Sequence, residues 1–375
     1  MLLPDTGVAI LGGGCAGLSL AVRLAEAGLD ATVVEPREGA EADRLWSFWR
    51  TRPDPFTDCV RARWPAWRVS HAGSVARRRS SAMRYETVCA GRFAEKALGL
   101  CDRAPGIALA LGTRAEGEPR QEGGLWRIET SAGALRSRYV VDTRPPAGPP
   151  GYGQYFIGRE IGFSRGAVDP GEVGLMEFAA PRPDRVDFVY VLPFAPDRAL
   201  IEATSFAPAP PGEAELSAWL DREIAARAGG RGHETLREER GFLPMAAPPP
   251  GRPAPHLPPR LGLSGLRGGA ARPSTGYAFQ RIQWMSETLA ERIRTGADDL
   301  ALTPDGPGTR FMDRLFLRVL QRRPAAGPAL FHALFRCAGP DRLERFLSGS
   351  RAPLDRLAVV SALPPGPFLK ELATP

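Results

Sequence analysis

The sequence predicts an α/β protein in three parts: a domain on a parallel sheet, an antiparallel β-sheet domain inserted into it, and a C-terminal helical region. Three observations carry this. Residues 8–35 read strand, glycine turn, helix, strand, and end on an acid. Residues 154–206 hold four strand patterns with no helix between them, which suits a separate sheet domain. Beyond residue 300, apolar residues recur at helical spacing with arginines on another face.

The first stretch is the most specific. Val8-Ala9-Ile10-Leu11 suits a buried parallel strand. Gly12-Gly13-Gly14-Cys15-Ala16-Gly17 fits G-x-G-x-x-G, and Gly28 stops the helix that follows. Gly12 makes the tight turn, Gly14 leaves room for a pyrophosphate, and Gly17 lets helix and strand pack closely. The helix that follows the fingerprint, in which Cys15 and Ala16 stand, turns its N-terminus to the phosphate charge. Glu35 closes the second strand and can accept hydrogen bonds from a ribose diol, which argues against the 2′-phosphate of NADP. The unit reads as a Rossmann-like site for FAD, NAD or a related dinucleotide.

At 375 residues the chain is long enough for two domains. The formal charge is +7, but Lys occurs only at 96 and 370, so the basic residues are nearly all Arg. That excess reads as coding bias, and no nucleic-acid partner is expected. Five scattered cysteines without C-x-x-C spacing suggest a reducing cytoplasm and no disulfide framework. The four histidines lie far apart, so no metal is expected. No run of 18 apolar residues and no leader pattern stands out, so neither a membrane span nor a signal peptide is expected.

Along the chain, Trp46, Phe48 and Trp49 lie in a five-residue aromatic cluster that reads either as a wall of the active site or as a plug under a loop. Short strands are expected at 69–71 and 75–77 around Gly73. Strand 85–89 leads to a helix from Arg92, which can present its guanidinium to the cofactor or to solvent. Strands follow at 107–111, 125–130 and 135–141. The last ends on Asp142 before a Pro-rich crossing at 145–150. The inserted domain carries strands 155–157, 174–179, 186–192 and 199–206, a helix 213–228, a strand 236–245 and a linker 246–259. Strand 261–266 returns to the first domain. The turn after it holds Gly268, Gly269, Thr275 and Gly276, whose small residues suit close approach of an anion or a flavin ring before helix 278–295. The expected division is 1–50, 85–150 and 260–300 for the dinucleotide domain, 51–84 and 151–259 for the sheet domain, and 301–375 for a helical cap. Arg310, Arg314, Arg318 and Arg322 beside an apolar face suit either a solvated cap or an anionic membrane surface.

One residue in the inserted domain can do chemistry. Leu200, Glu202, Thr204 and Phe206 alternate to one side of their strand, Ile201, Ala203 and Ser205 to the other. If the first face is buried, desolvation keeps Glu202 protonated, and a protonated carboxyl in an apolar pocket is a proton donor. If it is wet, Glu202 is an ordinary surface acid.

Several motifs together resemble the bacterial lycopene β-cyclases, within the class of FAD enzymes with two dinucleotide-binding signatures. They are Leu200-Ile201-Glu202-Ala203-Thr204, Phe188 to Pro193, Gly265-Leu266-Arg267 with Pro273-Ser274-Thr275-Gly276-Tyr277, and, in support, Trp46-Ser47-Phe48, Arg92-Phe93 and Gly241 to Pro244. The resemblance implies FAD, needed in reduced form with NAD(P)H as the expected reductant. It implies cyclisation of lycopene through γ-carotene to β-carotene with no net redox change. It places the catalytic carboxylate at Glu202. Ala203 stands where family members often carry a second acid, and Glu177 is the alternative source of one. Cofactor contacts fall on Gly12, Gly14, Cys15, Ala16, Gly17, Glu35, Arg92, Asp142, Gly268, Gly269, Thr275 and Gly276. Substrate contacts fall on Trp46, Phe48, Trp49, Tyr190 and Tyr277. The expected setting is the cytoplasm, at the inner face of the cell membrane. The alternatives are a flavin monooxygenase or polyprenyl reductase, and a non-catalytic prenyl- or lipid-binding protein.

Overall fold

The structure, a computed structural model, describes residues 5–39, 44–146, 151–246 and 257–373. The expected crossing at 145–150 and linker at 246–259 lie largely outside them. The described strands form three sheets.

The first sheet runs in the order Ile107–Leu111, Ala31–Glu35, Thr6–Leu11, Gly133–Asp142, Leu125–Thr130 and Ala115–Glu122, with Leu261–Leu263 beside the end of Gly133–Asp142. The apolar runs at 8–11 and 31–34 are parallel and fully buried: Val8, Ile10 and Val33 pack under helices, while Ala9, Leu11 and Val34 pack with Trp126, Ile128 and Leu135 of neighbouring strands. Helix Cys15–Glu26 and helix Phe279–Arg294 pack against each other on one face. Strand Ala115–Glu122 is a finding beyond the sequence reading: its residues are mostly polar and exposed, so it carries no alternation to read.

The second sheet runs His233–Pro244, Gly153–Phe163, Arg198–Ala207, Val186–Ala195, Glu172–Phe178, Ala66–His71 and Ser74–Arg79. The strands drawn from residues 153–207 are antiparallel to one another, as expected, and the one parallel pairing among the described residues of this sheet is where Ala66–His71 joins Glu172–Phe178. Helix Glu213–Ala228 covers one face through Leu216, Leu220 and Ile224 against Ile157, Ile201 and Ala203. The other face meets the C-terminal helices through Leu175, Phe188, Leu200 and Phe206. Both faces of strand Arg198–Ala207 are therefore inside. The expected boundary near residue 84 crosses a third sheet, in which Tyr85–Cys89 pairs with both Leu45–Trp49 and Val60–Trp64. Strand pairing between segments assigned to different domains is not legible from local pattern.

The C-terminal region holds helices Pro307–Arg322, Gly327–Cys337, Pro340–Leu347, Pro353–Ala362 and Pro365–Leu372. Proline in the first turn of each fixes where it starts. Two buried ion pairs tie this region to the loop and helix after Gly265. Arg281 binds Asp305 at 2.7 Å, and Arg272, fully buried, binds Asp313 at 3.0 Å and the Phe346 carbonyl. Replacing Arg272 with Met is expected to destabilise the protein by about 3–5 kcal/mol, because Asp313 would be left charged and unpaired; urea unfolding checks it. The arginine stripe is partly engaged by the fold, since Arg318 and Arg322, themselves part-exposed, pair with the buried Glu371 of the last helix. The region also exposes apolar side chains: Phe311, Leu354, Leu357, Val360, Leu369 and Leu372, with Leu354 and Leu369 each 60% exposed.

Candidate active site

One cavity of about 1170 Å³ joins the first sheet to the second. At one wall the glycine turn lies over the end of strand Thr6–Leu11. Gly12 has φ +103°, a conformation that favours glycine. A side chain at Gly17 would put its Cβ 1.8 Å from the Gly12 carbonyl oxygen, so helix and strand meet backbone to backbone. Gly14 has open space where a Cβ would be, and it faces the cavity at the helix N-terminus. That is the shape a pyrophosphate requires. Glu35 lines the same wall. Its Oε2 accepts the Gly13 amide at 2.5 Å, and its Oε1 accepts Arg37 Nε at 2.5 Å. Burial opposes its charge, yet the hydrogen bonds from Arg37 and Gly13 prevail and hold the carboxyl below the usual range. Its spare lone pairs can still accept a diol. These residues fit a dinucleotide.

The floor of the cavity is the second sheet. Tyr190, Glu202, Gly158 and Glu239 are Cα partners in register on four adjacent strands. Paired residues project from the same face, so their side chains form one row. Tyr190, Glu202 and Glu239 all line the cavity. Glu202 is buried, and Thr204 Oγ1 donates to its Oε1 at 2.7 Å. Desolvation first, and the charge of Glu239 second, push the Glu202 carboxyl up to about 8, against the hydrogen bond from Thr204 and the charge of Arg237. At neutral pH it holds a proton. The hydroxyls of Tyr85 and Tyr190 are 2.9 Å apart, and Tyr277 joins Tyr85. Burial raises all three phenols well above their ordinary range, so they stay neutral.

At the far side the cavity is walled by Phe311, Phe316, Val360, Phe368, Leu369 and Leu372. Several of these are exposed, so at this end the cavity opens among apolar side chains.

The sequence-predicted residues are distributed as follows. Gly12, Gly14, Cys15, Ala16, Glu35, Trp46, Tyr190, Glu202, Thr275, Gly276 and Tyr277 line the cavity. Gly17 lies behind it and acts through packing. Phe48 and Trp49 are corrected to a second layer: Phe48 stacks on Phe279 at 4.6 Å, and Trp49 supports Tyr277 and Tyr85 edge-on at 5.3 and 4.8 Å. In a strand, Trp46 and Phe48 share a side, but the Phe279 ring closes over Phe48. Arg92 is exposed and does not line the cavity; Phe93, one residue on, does. Asp142 is buried under Arg144 and Arg267, whose Nη2 and Nη1 lie 2.7 and 3.0 Å from its Oδ2. Gly268 and Gly269 do not line the cavity either: Gly268 packs on the Leu263 carbonyl, and Gly265 and Leu266 take their place at the wall. Glu177 does not face the cavity. Arg68 Nη2 binds it at 2.5 Å and Arg227 of the covering helix binds its other oxygen, so it is committed to the opposite face. The carboxylate that shares the row with Glu202 is Glu239, which sequence reasoning missed. Its strand, His233–Pro244, is a run of charged residues with no apolar alternation, so no pattern separates Glu239 from its neighbours.

A sequence profile of the family described as lycopene cyclase protein matches residues 7–373. The chain is 28% identical to the lycopene beta-cyclase of a Paracoccus species, over 96% of this chain and 95% of that protein. It is also 28% identical to the lycopene beta-cyclase of Pantoea ananas, over 98% and 97%. Among solved structures it is similar to a geranylgeranyl bacteriochlorophyll reductase-like protein from Thermoplasma acidophilum, with TM-score 0.68, 15% identity and 99% coverage of each chain. It is also similar to a flavoprotein/dehydrogenase from Cytophaga hutchinsonii, at TM-score 0.59 and 14% identity, covering 99% of this chain and 98% of that one. These two likenesses speak for the fold, and the sequence match, which spans nearly every residue, decides the relationship: the chain belongs to the lycopene cyclase family.

Proposed function

We propose that the protein is a lycopene β-cyclase, an isomerase that binds FAD in its reduced form and converts lycopene through γ-carotene to β-carotene. The observation that carries the reading is a buried carboxyl, Glu202, whose desolvation favours its acid form, on the floor of a cavity that joins a dinucleotide cradle to an apolar mouth. A polyene tip entering by the mouth would reach Glu202. Glu202 gives its proton to the terminal double bond. The tertiary cation that forms is attacked by a neighbouring double bond, and the six-membered ring closes. The ring then loses a proton to solvent, which also restores the proton of Glu202, and the β end forms. Tyr190, Tyr277 and Trp46 line this part of the cavity and shield the cation with aromatic faces. Reduced FAD, with NAD(P)H as its electron source, would supply negative charge beside that cation when bound. Gly12, Gly14, Cys15, Ala16, Glu35, Thr275 and Gly276 would hold it.

Expression in a lycopene-accumulating bacterium tests the reading. β-Carotene in the extracted pigment is the expected result, and unchanged lycopene with a flavin-loaded protein would sink it. A redox enzyme on the same scaffold would instead consume NAD(P)H in step with product.

The apolar mouth supports a second part of the proposal, that the protein lies on the inner face of the membrane where its substrate dissolves. Among the described residues, no helix is long and apolar enough to cross a bilayer. Replacing Leu369 and Leu372 together with Glu is expected to cut binding to lipid vesicles by at least about tenfold, since each buried leucine contributes about 1.5–3 kcal/mol. Flotation with vesicles measures it, and undiminished binding would place the contact elsewhere.

A further inference from the structure

The row across the cavity floor contains a second carboxylate and a gap. Glu202 and Glu239 flank Gly158 on the two neighbouring strands. Strands lie about 4.8 Å apart, so the two Cα atoms are separated by roughly 10 Å with no side chain between them. Gly158 has no left-handed φ that would call for glycine. A Cβ there would lie 3.4 Å from both Cβ and Cγ of Glu202 and 3.3 Å from the Leu200 side chain. The missing side chain thus leaves a lane between the two acids.

Arg237, two residues from Glu239 and on the same face, breaks the symmetry of the pair. Its Nη1 donates to Glu239 Oε2 at 2.6 Å. Its other carboxylate neighbour, Glu160, already carries Arg61 and Arg198 at 2.5 and 2.6 Å. Glu202 has only the Thr204 hydroxyl at hydrogen-bond distance on its own strand. Near it too are the neutral phenols of Tyr190 and Tyr85, and Arg237, whose positive charge partly offsets that of Glu239. On the opposite wall, Asp313 is committed to Arg272 and Ser274. Two carboxylates across a low-dielectric gap do not both ionise at little cost. The one beside a guanidinium takes the charge, and the other keeps its proton.

We propose that Glu239 is the positioning residue that keeps Glu202 in its acid form: held as a carboxylate by Arg237, it opposes a second negative charge across the lane at Gly158. This rests on the reading of Glu202 as the proton donor. Each turnover leaves Glu202 briefly deprotonated, and the fixed charge opposite drives it to recover a proton before the next substrate.

The test uses the FAD-loaded protein with lycopene in mixed micelles, comparing wild type, Glu239→Gln and Glu239→Asp. In the wild type, activity should fall as pH rises through about 8. In Glu239→Gln that alkaline limb should move down by on the order of one pH unit, with the low-pH plateau largely kept and activity at pH 8 lower by about fivefold. Glu239→Asp retains the charge and should return the limb toward its original position. A merely structural role would lower the rate at every pH and leave the limb in place; that result overturns the proposal. An infrared titration of the Glu202 carboxyl, assigned by its loss in Glu202→Gln, reads the same shift without turnover. If wild type leaves lycopene unchanged, the cyclase reading fails, while an infrared titration that differs between wild type and Glu239→Gln still upholds the coupling. An infrared titration identical in both removes it. Should Glu239→Gln not fold, Glu239→Met, neutral and of similar length, must show the same downward shift or the proposal falls.

Discussion

Glu202→Gln is expected to bind FAD normally and to form β-rings at least about 10³-fold more slowly, because the amide has no proton acidic enough for an alkene. Pigment analysis of lycopene-accumulating cells, with flavin content of the purified variant as control, measures both halves. A variant that still makes β-carotene at the wild-type rate would remove Glu202 from the chemistry. The same substitution carries a stability signature. The folded carboxyl sits near 8 against an ordinary value of 4.5. Below pH 4.5 it is protonated in both the folded and unfolded chain and costs nothing. Between those values only the unfolded chain releases the proton, so stability drains as pH rises. Above 8 the full penalty stands, on the order of 5 kcal/mol. Urea unfolding of the wild type should therefore show this loss, and Glu202→Gln should be the more stable protein at pH 8. Equal pH dependence in the two would show that this carboxyl is not buried.

Gly17→Ala and Gly14→Ala should fail in different ways. At Gly17 the new methyl would lie 1.8 Å from a backbone oxygen that cannot swing aside, so helix Cys15–Glu26 must leave strand Thr6–Leu11. We expect a loss of about 3 kcal/mol or more together with all flavin binding. At Gly14 the methyl enters open space at ordinary φ, so melting of the flavin-free protein should be unchanged within about 0.5 kcal/mol. It occupies the volume the pyrophosphate needs, and FAD affinity should fall by at least about 100-fold. Thermal melts and flavin fluorescence separate the cases. A Gly14→Ala protein that retains its flavin would mean that the phosphates lie elsewhere.

Both glycines were legible in the sequence because their role is local: a turn, a helix start and a strand lie within one short stretch, and the spacing alone states the geometry. Glu202 was half legible. Strand alternation put it on the side of Leu200 and Phe206, but only the C-terminal helices, more than a hundred residues on, turn that side into an interior. Arg92 shows the limit of the same reasoning. Its place in the first helical turn is as expected, yet helix rotation relative to the sheet points Phe93 into the cavity and Arg92 to solvent.

The local grammar of the chain was enough for the glycine cradle, most of the strands, the helices as far as Arg294 and the family resemblance at Glu202, but not for strands Leu45–Trp49, Val60–Trp64 and Ala115–Glu122. Strand neighbours were beyond it. Which carboxylate shares a row with Glu202 depends on the register of strands drawn from residues 153–163, 198–207 and 233–244, and that register is set by burial of both sheet faces at once. Glu177 and Glu239 are alike as letters. The fold commits one to Arg68 and Arg227 beneath the sheet and puts the other on the cavity floor, because pairing across strands is a property of the assembled sheet and of no single segment.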